Sequence, residues 1–185
     1  MRVAGLLLAA GAGRRFGGPK ALVSHGGARW VESAGGVLRA AGCDPVVVVL
    51  GAEAARVRAT AALGDAVVVD NADWPTGMGS SLRAGLAAAE DVDAVVVLPV
   101  DTPGITAAAV SRLAALAAPG ALARASYEGV PGHPVLLGRE HWPGVALAAV
   151  GDAGARDYLA EHRVLLVPCE DVADGRDIDH PDDLP

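Results

Sequence analysis

Residues 3–22 read VAGLLLAAGAGRRFGGPKAL. The first six form a continuous apolar run of the length of a strand buried on both faces. A loop follows whose glycines at 11, 13, 17 and 18 allow positive φ and close backbone approach, so that successive N–H groups can converge on an anion. Arg14, Arg15 and Lys20 add positive charge to the same loop. In open α/β sheets ligands bind beyond the carboxyl ends of the strands, which predicts a binding site where this strand gives way to its loop. The plainer alternative is a sharp turn carrying solvated cations.

Working outward, further apolar runs at 45–50, 66–69 and 94–99 have the same buried-strand character. Helical patterns separate them at 28–41, 52–62 and 80–89, and Gly42, Gly64 and Asp91 stand where those helices could stop. Strand and helix in alternation imply a three-layer α/β/α fold with a mostly parallel central sheet. Beyond residue 104 the pattern loosens. A helix at 106–117, a strand at 121–126, a turn-rich stretch YEGVPGHP, a further helical region and a last strand at 163–167 are expected. No low-complexity linker intervenes, so residues 1–185 are expected to form one domain, with a first half to about 104 and a second half after it.

Composition narrows the function. With 52% hydrophobic but only 3% aromatic residues the core must be built from Ala, Val and Leu. A formal charge of −7 opposes a general nucleic-acid or anionic-membrane binder, which needs a basic face. Cys43 and Cys169 are too few and too far apart for a disulfide framework or a CxxC metal site, and a reducing cytoplasm is the expected compartment. The opening also resembles a secretory signal, but the apolar run passes straight into Arg14-Arg15, and its removal would delete the first strand.

Two familiar phosphate motifs fail on the loop. The dinucleotide fingerprint needs a small residue where Phe16 stands, and a Walker loop needs Gly-Lys-Ser/Thr where Pro19-Lys20-Ala21 stands. The string does resemble the LAAGxGxRxGxPK signature of the sugar-nucleotide and cofactor nucleotidyltransferases with the glycosyltransferase-A-like fold, a Rossmann-like architecture. Further blocks resemble the molybdenum cofactor cytidylyltransferase-like group, related to molybdenum cofactor guanylyltransferase: Gly77-Met78-Gly79-Ser80-Ser81-Leu82 with Gly85-Leu86, then LPVDTPGIT, then Gly132-His133-Pro134-Val135, and last GDAGAR and DIDHPDDL. The third block departs from the pattern, reading VDTPG where relatives usually show GDMP-like strings.

The resemblance implies a magnesium-dependent nucleotidyltransferase, with manganese as the alternative metal. It implies that Leu8, Ala9, Ala10, Gly11, Ala12 and Gly13 wrap the nucleotide phosphates, that Arg15 and Lys20 neutralise charge, and that Asn71, Gly79, Ser80 and Ser81 lie near base or ribose. Asp101, at the end of a strand, would hold the metal, a role that suits a carboxylate facing a phosphate site. A turn or helix cap is the plain alternative for Asp101. Of the late pair Asp177 and Asp179, one would complete the metal site, with Asp179 favoured. His133, Asp152 and Arg156 would face the acceptor, and Asp152 is also a natural cap for a helix of its own.

The LAAG form of the opening, in place of the LAGG of the guanylyl relatives, favours CTP, with a phosphorylated acceptor of the molybdopterin type and a molybdoenzyme or its chaperone as receiving partner. Two rivals remain. An NAD(P)H-dependent oxidoreductase, like the dye reductase of nicotine catabolism assigned within the family, is opposed by the lack of an acidic residue after the second strand, where Leu50-Gly51 stands. A non-catalytic cofactor-delivery protein would not need to keep Lys20 and Asp101.

Overall fold

The computed structural model describes residues 1–183. A seven-stranded sheet is built from β1 (Val3–Ala9), β4 (Val46–Leu50), β5 (Val67–Asp70), β6 (Ala94–Pro99), β7 (Leu122–Tyr127), β8 (Val130–Gly138) and β9 (Leu165–Pro168), while β2 (Ser24–His25) and β3 (Ala28–Arg29) form a separate small ribbon. The order across the large sheet is β5-β4-β1-β6-β8-β7-β9. β1 is central and pairs in parallel on both sides, Gly5 to Ala9 against Val46 to Leu50 and Val3 to Leu8 against Ala94 to Pro99. The stretch that could be mistaken for a secretory signal is thus an interior strand. β8 pairs antiparallel with both β6 and β7, so the sheet is mostly parallel with an antiparallel insertion.

Alternation along the strands sends two sets of side chains to opposite faces. Leu7, Val48, Val96 and Leu136 join one core with Leu38 of α1 (Trp30–Ala40), Val57 of α2 (Ala54–Thr60) and Leu113 of α4 (Ala107–Ala114). Leu6, Val47, Val95 and Leu137 join the other with Leu82 of α3 (Met78–Ala88), Val145 of α5 (Trp142–Ala148) and Leu159 of α6 (Arg156–Ala160). This is the expected three-layer arrangement, filled by Val, Leu and Ala. No helix of the described residues is long and apolar enough to cross a membrane. Cys43 and Cys169 are buried and free.

Three local expectations change. The stretch expected as a turn, YEGVPGHP, is a hairpin: Glu128 and Gly129, at φ 52° and 81°, turn the chain between β7 and the nine-residue β8. A two-residue turn with both φ values positive matches the twist of the flanking strands. Residues 28–29 pair as β3 instead of opening α1, and α3 starts at Met78, two residues early. Pro181–Asp183 form a 3-10 turn, while Leu184, the last residue of DIDHPDDL, lies outside the described residues.

Glu32 ties one helical layer together. Its carboxylate accepts the Arg29 amide at 2.8 Å, closing the first turn of α1, and the Ala62 amide beyond α2 at 2.8 Å. The Ala62 bond, then the Arg29 bond, hold its carboxyl below the ordinary value of 4.5. Glu32→Ala is expected to lower stability by about 2 kcal/mol, since two hydrogen bonds to a charged group are lost. A depressed native pKa stabilises fully above the unfolded value and is lost as pH falls through the native one. The gap in Tm between wild type and variant should therefore be constant at neutral pH and close below about pH 4.5.

Candidate active site

At the carboxyl end of β1 the chain breaks into the glycine loop. Gly13 adopts φ 57°, and its carbonyl accepts the amides of Phe16, Gly17 and Gly18 at 2.9, 2.9 and 3.1 Å. A Cβ at Gly13 would run into the Gly18 carbonyl, so only glycine closes this knot. Among the described residues, the amides of residues 11–15 donate to no protein acceptor. Consecutive unpaired N–H groups at a strand end form an anion-binding concavity. They border a cavity of about 630 Å³ lined also by Leu8, Ala10, Trp74, Ser81, Asp101, Asp152 and Asp179.

The charged centre of this cavity is Lys20. Its Nζ lies 3.1 Å from Asp101 Oδ2 and 2.8 Å from Asp179 Oδ1, and its side chain is only 12% exposed. Burial alone would lower the ammonium pKa, but the hydrogen bonds and charges of Asp179 and Asp101 outweigh it and raise the pKa above its ordinary 10.5. The Lys20 hydrogen bond in turn holds the Asp179 carboxyl below its ordinary value. Arg15 Nη1 stands 3.7 Å from the other Asp179 oxygen and is largely exposed.

Backbone contacts bring these groups together. Asp101 follows β6, and its carbonyl accepts the Ile178 amide at 2.8 Å, which sets the next residue, Asp179, beside it. Upstream the tail is held by Asp174 N–H on Gly104 O at 3.1 Å and by Thr106 Oγ1 donating to Val172 O at 2.9 Å. Thr106 also caps α4 by accepting from Ala109, so the capping role weighed for Asp101 falls to Thr106.

Other expected residues lie at differing distances from the cavity. Ser81 lines it, whereas Asn71, Ser80 and Gly79 stand behind the wall. Buried Asn71 donates to Ser80 Oγ at 2.8 Å and Ser81 Oγ at 3.0 Å, and Gly79 is pressed against the Ala149 backbone. Ala9 faces the opposite layer because the pleat alternates. Asp152 lines this first cavity and not a separate acceptor face. It does not cap α6; its Oδ1 accepts the Met78 amide, at 3.4 Å, at the start of α3. Arg156 opens α6, is mostly exposed, pairs with Asp157 at 3.4 Å and lines neither cavity described here.

A second cavity, of about 840 Å³, shares Met78, Pro99 and Asp101 with the first. Its walls are the β7–β8 hairpin and the tail, with Arg124, Tyr127, His133, Glu170, Arg176 and Asp177 among the lining. Asp177 therefore faces this cavity, while Asp179 faces Lys20. Burial, with the charge of Arg124 adding to it and that of Asp177 opposing, pushes the His133 imidazole down to about 4. Tyr127 donates to the His133 carbonyl at 2.7 Å and packs against Gly175, fastening the hairpin to the tail. Arg124 lies in the expected strand 121–126 and Tyr127 at its end, but without β8 as a hairpin partner nothing in the sequence brings either to a site. The Glu128-Gly129 pair between two strand-like runs was the signal available.

Residues 5–165 match the MobA-like NTP transferase domain family. The chain belongs to that family. It is accordingly a nucleotidyltransferase, an enzyme that uses a nucleoside triphosphate. It is 42% identical over 187 residues to nicotine blue oxidoreductase of Paenarthrobacter nicotinovorans, an alignment covering 96% of this chain and 92% of that protein. Among solved structures it resembles the Rv0371c homologue from Mycobacterium sp. strain JC1, at TM-score 0.82 and 30% identity, covering 99% and 94% of the two chains. It also resembles the manganese complex of Rv0371c from Mycobacterium tuberculosis H37Rv, at TM-score 0.73 and 27% identity, covering 91% and 88%.

The depressed His133 pKa has a measurable consequence. Between the ordinary 6.5 and about 4 the unfolded chain binds a proton that the native chain refuses, so this group destabilises the fold as pH falls through that window. In an NMR titration the His133 ring should titrate near 4. A midpoint near 6.5 would mean that the ring is solvated and out of reach of Arg124.

Proposed function

We propose that the enzyme transfers CMP from CTP to a phosphorylated small-molecule acceptor of the molybdopterin type and releases pyrophosphate. The observation that carries this reading is the Lys20 ammonium held between Asp101 and Asp179 beside a run of unpaired loop amides. Those amides, with Arg15 and Lys20, would hold the phosphates, and Ser81, backed by Asn71, would meet the ribose or base.

Charge balance supports a divalent cation. Arg14, Arg15 and Lys20 are matched by Asp101, Asp152 and Asp179 on the same cavity, so the lining is nearly neutral and a triphosphate must bring its own counter-charge. No group of three or more His, Cys, Asp or Glu side chains able to hold a metal occurs among the described residues. Two carboxylates that already share one cation, Lys20 Nζ, fit a hard ion of the magnesium or manganese type, which takes one or two carboxylates and completes its shell with phosphate oxygens and water. Asp101 and Asp179 would be those ligands. The ion would neutralise charge developing on the phosphate oxygens.

In the transfer, an acceptor phosphate oxygen forms a bond to the α-phosphorus as the bond to the pyrophosphate oxygen breaks in line. The nucleophile is already anionic, so no general base is needed. The protein's part is alignment and charge compensation by the loop amides, Arg15 and Lys20. A delivering enzyme of this kind would pass its product to a molybdoenzyme or the chaperone of one.

The 42% identity to nicotine blue oxidoreductase supports a second reading, hydride transfer from NAD(P)H in the same cleft. The end of β4 opposes it, since Leu50-Gly51 offers no carboxylate to a ribose hydroxyl. Calorimetry with CTP, GTP, ATP and NADPH, with and without Mg²⁺, separates the two. The expected outcome is metal-dependent CTP binding that Asp101→Ala weakens. In the Lys20→Ala enzyme, turnover should fall by about a hundredfold or more, the scale of losing one preorganised charge contact in a transition state. NADPH binding without triphosphate binding would overturn the transferase reading.

A further inference from the structure

Arg124 is unusual among the arginines of this chain. It rises from the middle of β7, is half-buried, and makes no ion pair among the described residues. Its one hydrogen bond among the described residues runs from Nε to the Gly132 carbonyl, at 3.3 Å, next to His133. A guanidinium carries five N–H donors in a planar fork, so the two Nη groups keep four unspent donors. They are not sealed in protein, because among the described residues the only buried side-chain nitrogen or oxygen without a partner is Trp30 Nε1. The donors therefore open on the second cavity, which Arg124 lines.

The surroundings define what they could bind. The other guanidinium on this cavity, Arg176, is already matched by Asp174, 2.6 Å away. Of the carboxylates on the walls, Asp101 is matched by Lys20, and Glu170 accepts the Cys169 amide at 3.1 Å. His133, beside Arg124, supplies a neutral ring. Leaving a charged fork partly desolvated without a partner costs stability, and a bidentate oxyanion is the group that best fits its geometry.

We propose that Arg124 is the anion-holding residue of the acceptor cavity, and that it grips an oxyanionic group of the acceptor other than the one that is nucleotidylated. The reaction centre lies at Asp101, Met78 and Pro99, where the two cavities meet, and is served by Lys20. Arg124 lines only the second cavity and so serves a different part of the acceptor. The carboxylates Glu128, Glu170 and Asp177 on the same walls would repel any second anion, so the rest of the bound molecule would present hydrogen-bond donors. This inference rests on the transferase reading for its naming of the cavity, and the experiment keeps the two apart.

The full-length protein is titrated first with the non-hydrolysable analogue cytidine 5′-(α,β-methylene)triphosphate and Mg²⁺, read at the Gly13 amide by NMR. Inorganic phosphate is then added and read at the His133 ring and the Arg124 Nε–H. Wild type should show saturable phosphate shifts at both. Arg124→Gln should weaken the His133 response about tenfold or more while leaving the analogue's affinity unchanged, and Arg124→Lys, which keeps charge without the fork, should fall between. Equal phosphate responses at His133 in wild type and Arg124→Gln would overturn the proposal. So would the lack of any shift in wild type, a result that needs no variant to fold. A phosphate response at His133 without an analogue response at Gly13 would uphold the Arg124 site and sink the transferase reading alone.

Discussion

The Lys20 ammonium, held between Asp101 and Asp179, joins three parts of the chain that are 81 and 159 residues apart in sequence. A nearly buried ammonium is tolerable only when its charge is compensated at hydrogen-bond distance. Meeting that demand requires the glycine loop to leave β1 at the right angle, β6 to end beside it, and the tail to return across the sheet. The Ile178 amide on the Asp101 carbonyl closes the circuit, since it sets Asp179 next to Asp101.

The sheet order explains why one edge of the molecule carries all the chemistry. β1, β4, β5 and β6 run parallel, so the loops that follow them gather at one end: the glycine loop, Gly51 under Trp74, Asn71 and Asp101. The antiparallel insertion does something different. β8 places the hairpin beside β6, and that hairpin with the tail walls a second cavity continuous with the first. Two compartments that share Asp101 suit a two-substrate transfer. Among the described residues their linings also differ in kind, with unpaired amides and balanced charges in one, and a neutral histidine beside an unmatched guanidinium in the other.

How much of this was legible differed by region. The parallel half was read nearly to the residue, because buried strands declare themselves as unbroken Val and Leu runs, and helices by their spacing and stops. The glycine loop, Lys20, Asp101 and Asp179, each singled out in the sequence, border one cavity in the fold, and Asp177 lines the other. In the second half the helix at 106–117 and the strands at 121–126 and 163–167 match α4, β7 and β9, and only β8 is hidden in the sequence. Gly and Pro in YEGVPGHP looked like punctuation, yet they sit in a hairpin whose Pro131 and Gly132 lie near its outer end. Asp152 looked like the cap of its own helix but reaches α3 instead, a partner 74 residues away that no local rule can supply.

The sequence by itself determined the local elements and the chemistry available: a strand, a loop of glycines and cations, and carboxylates at strand ends. Those follow from backbone preferences and periodicity, which act over a few residues. Only the tertiary structure decided which charges meet. Among the described residues Lys20 finds two carboxylates and Arg124 finds none, though both are single cations flanked by small or apolar residues in the sequence. The difference arises because pairing depends on distances of 3 to 4 Å, as in the 3.1 Å contact of Lys20 with Asp101, and those are set by how the sheet orders its strands.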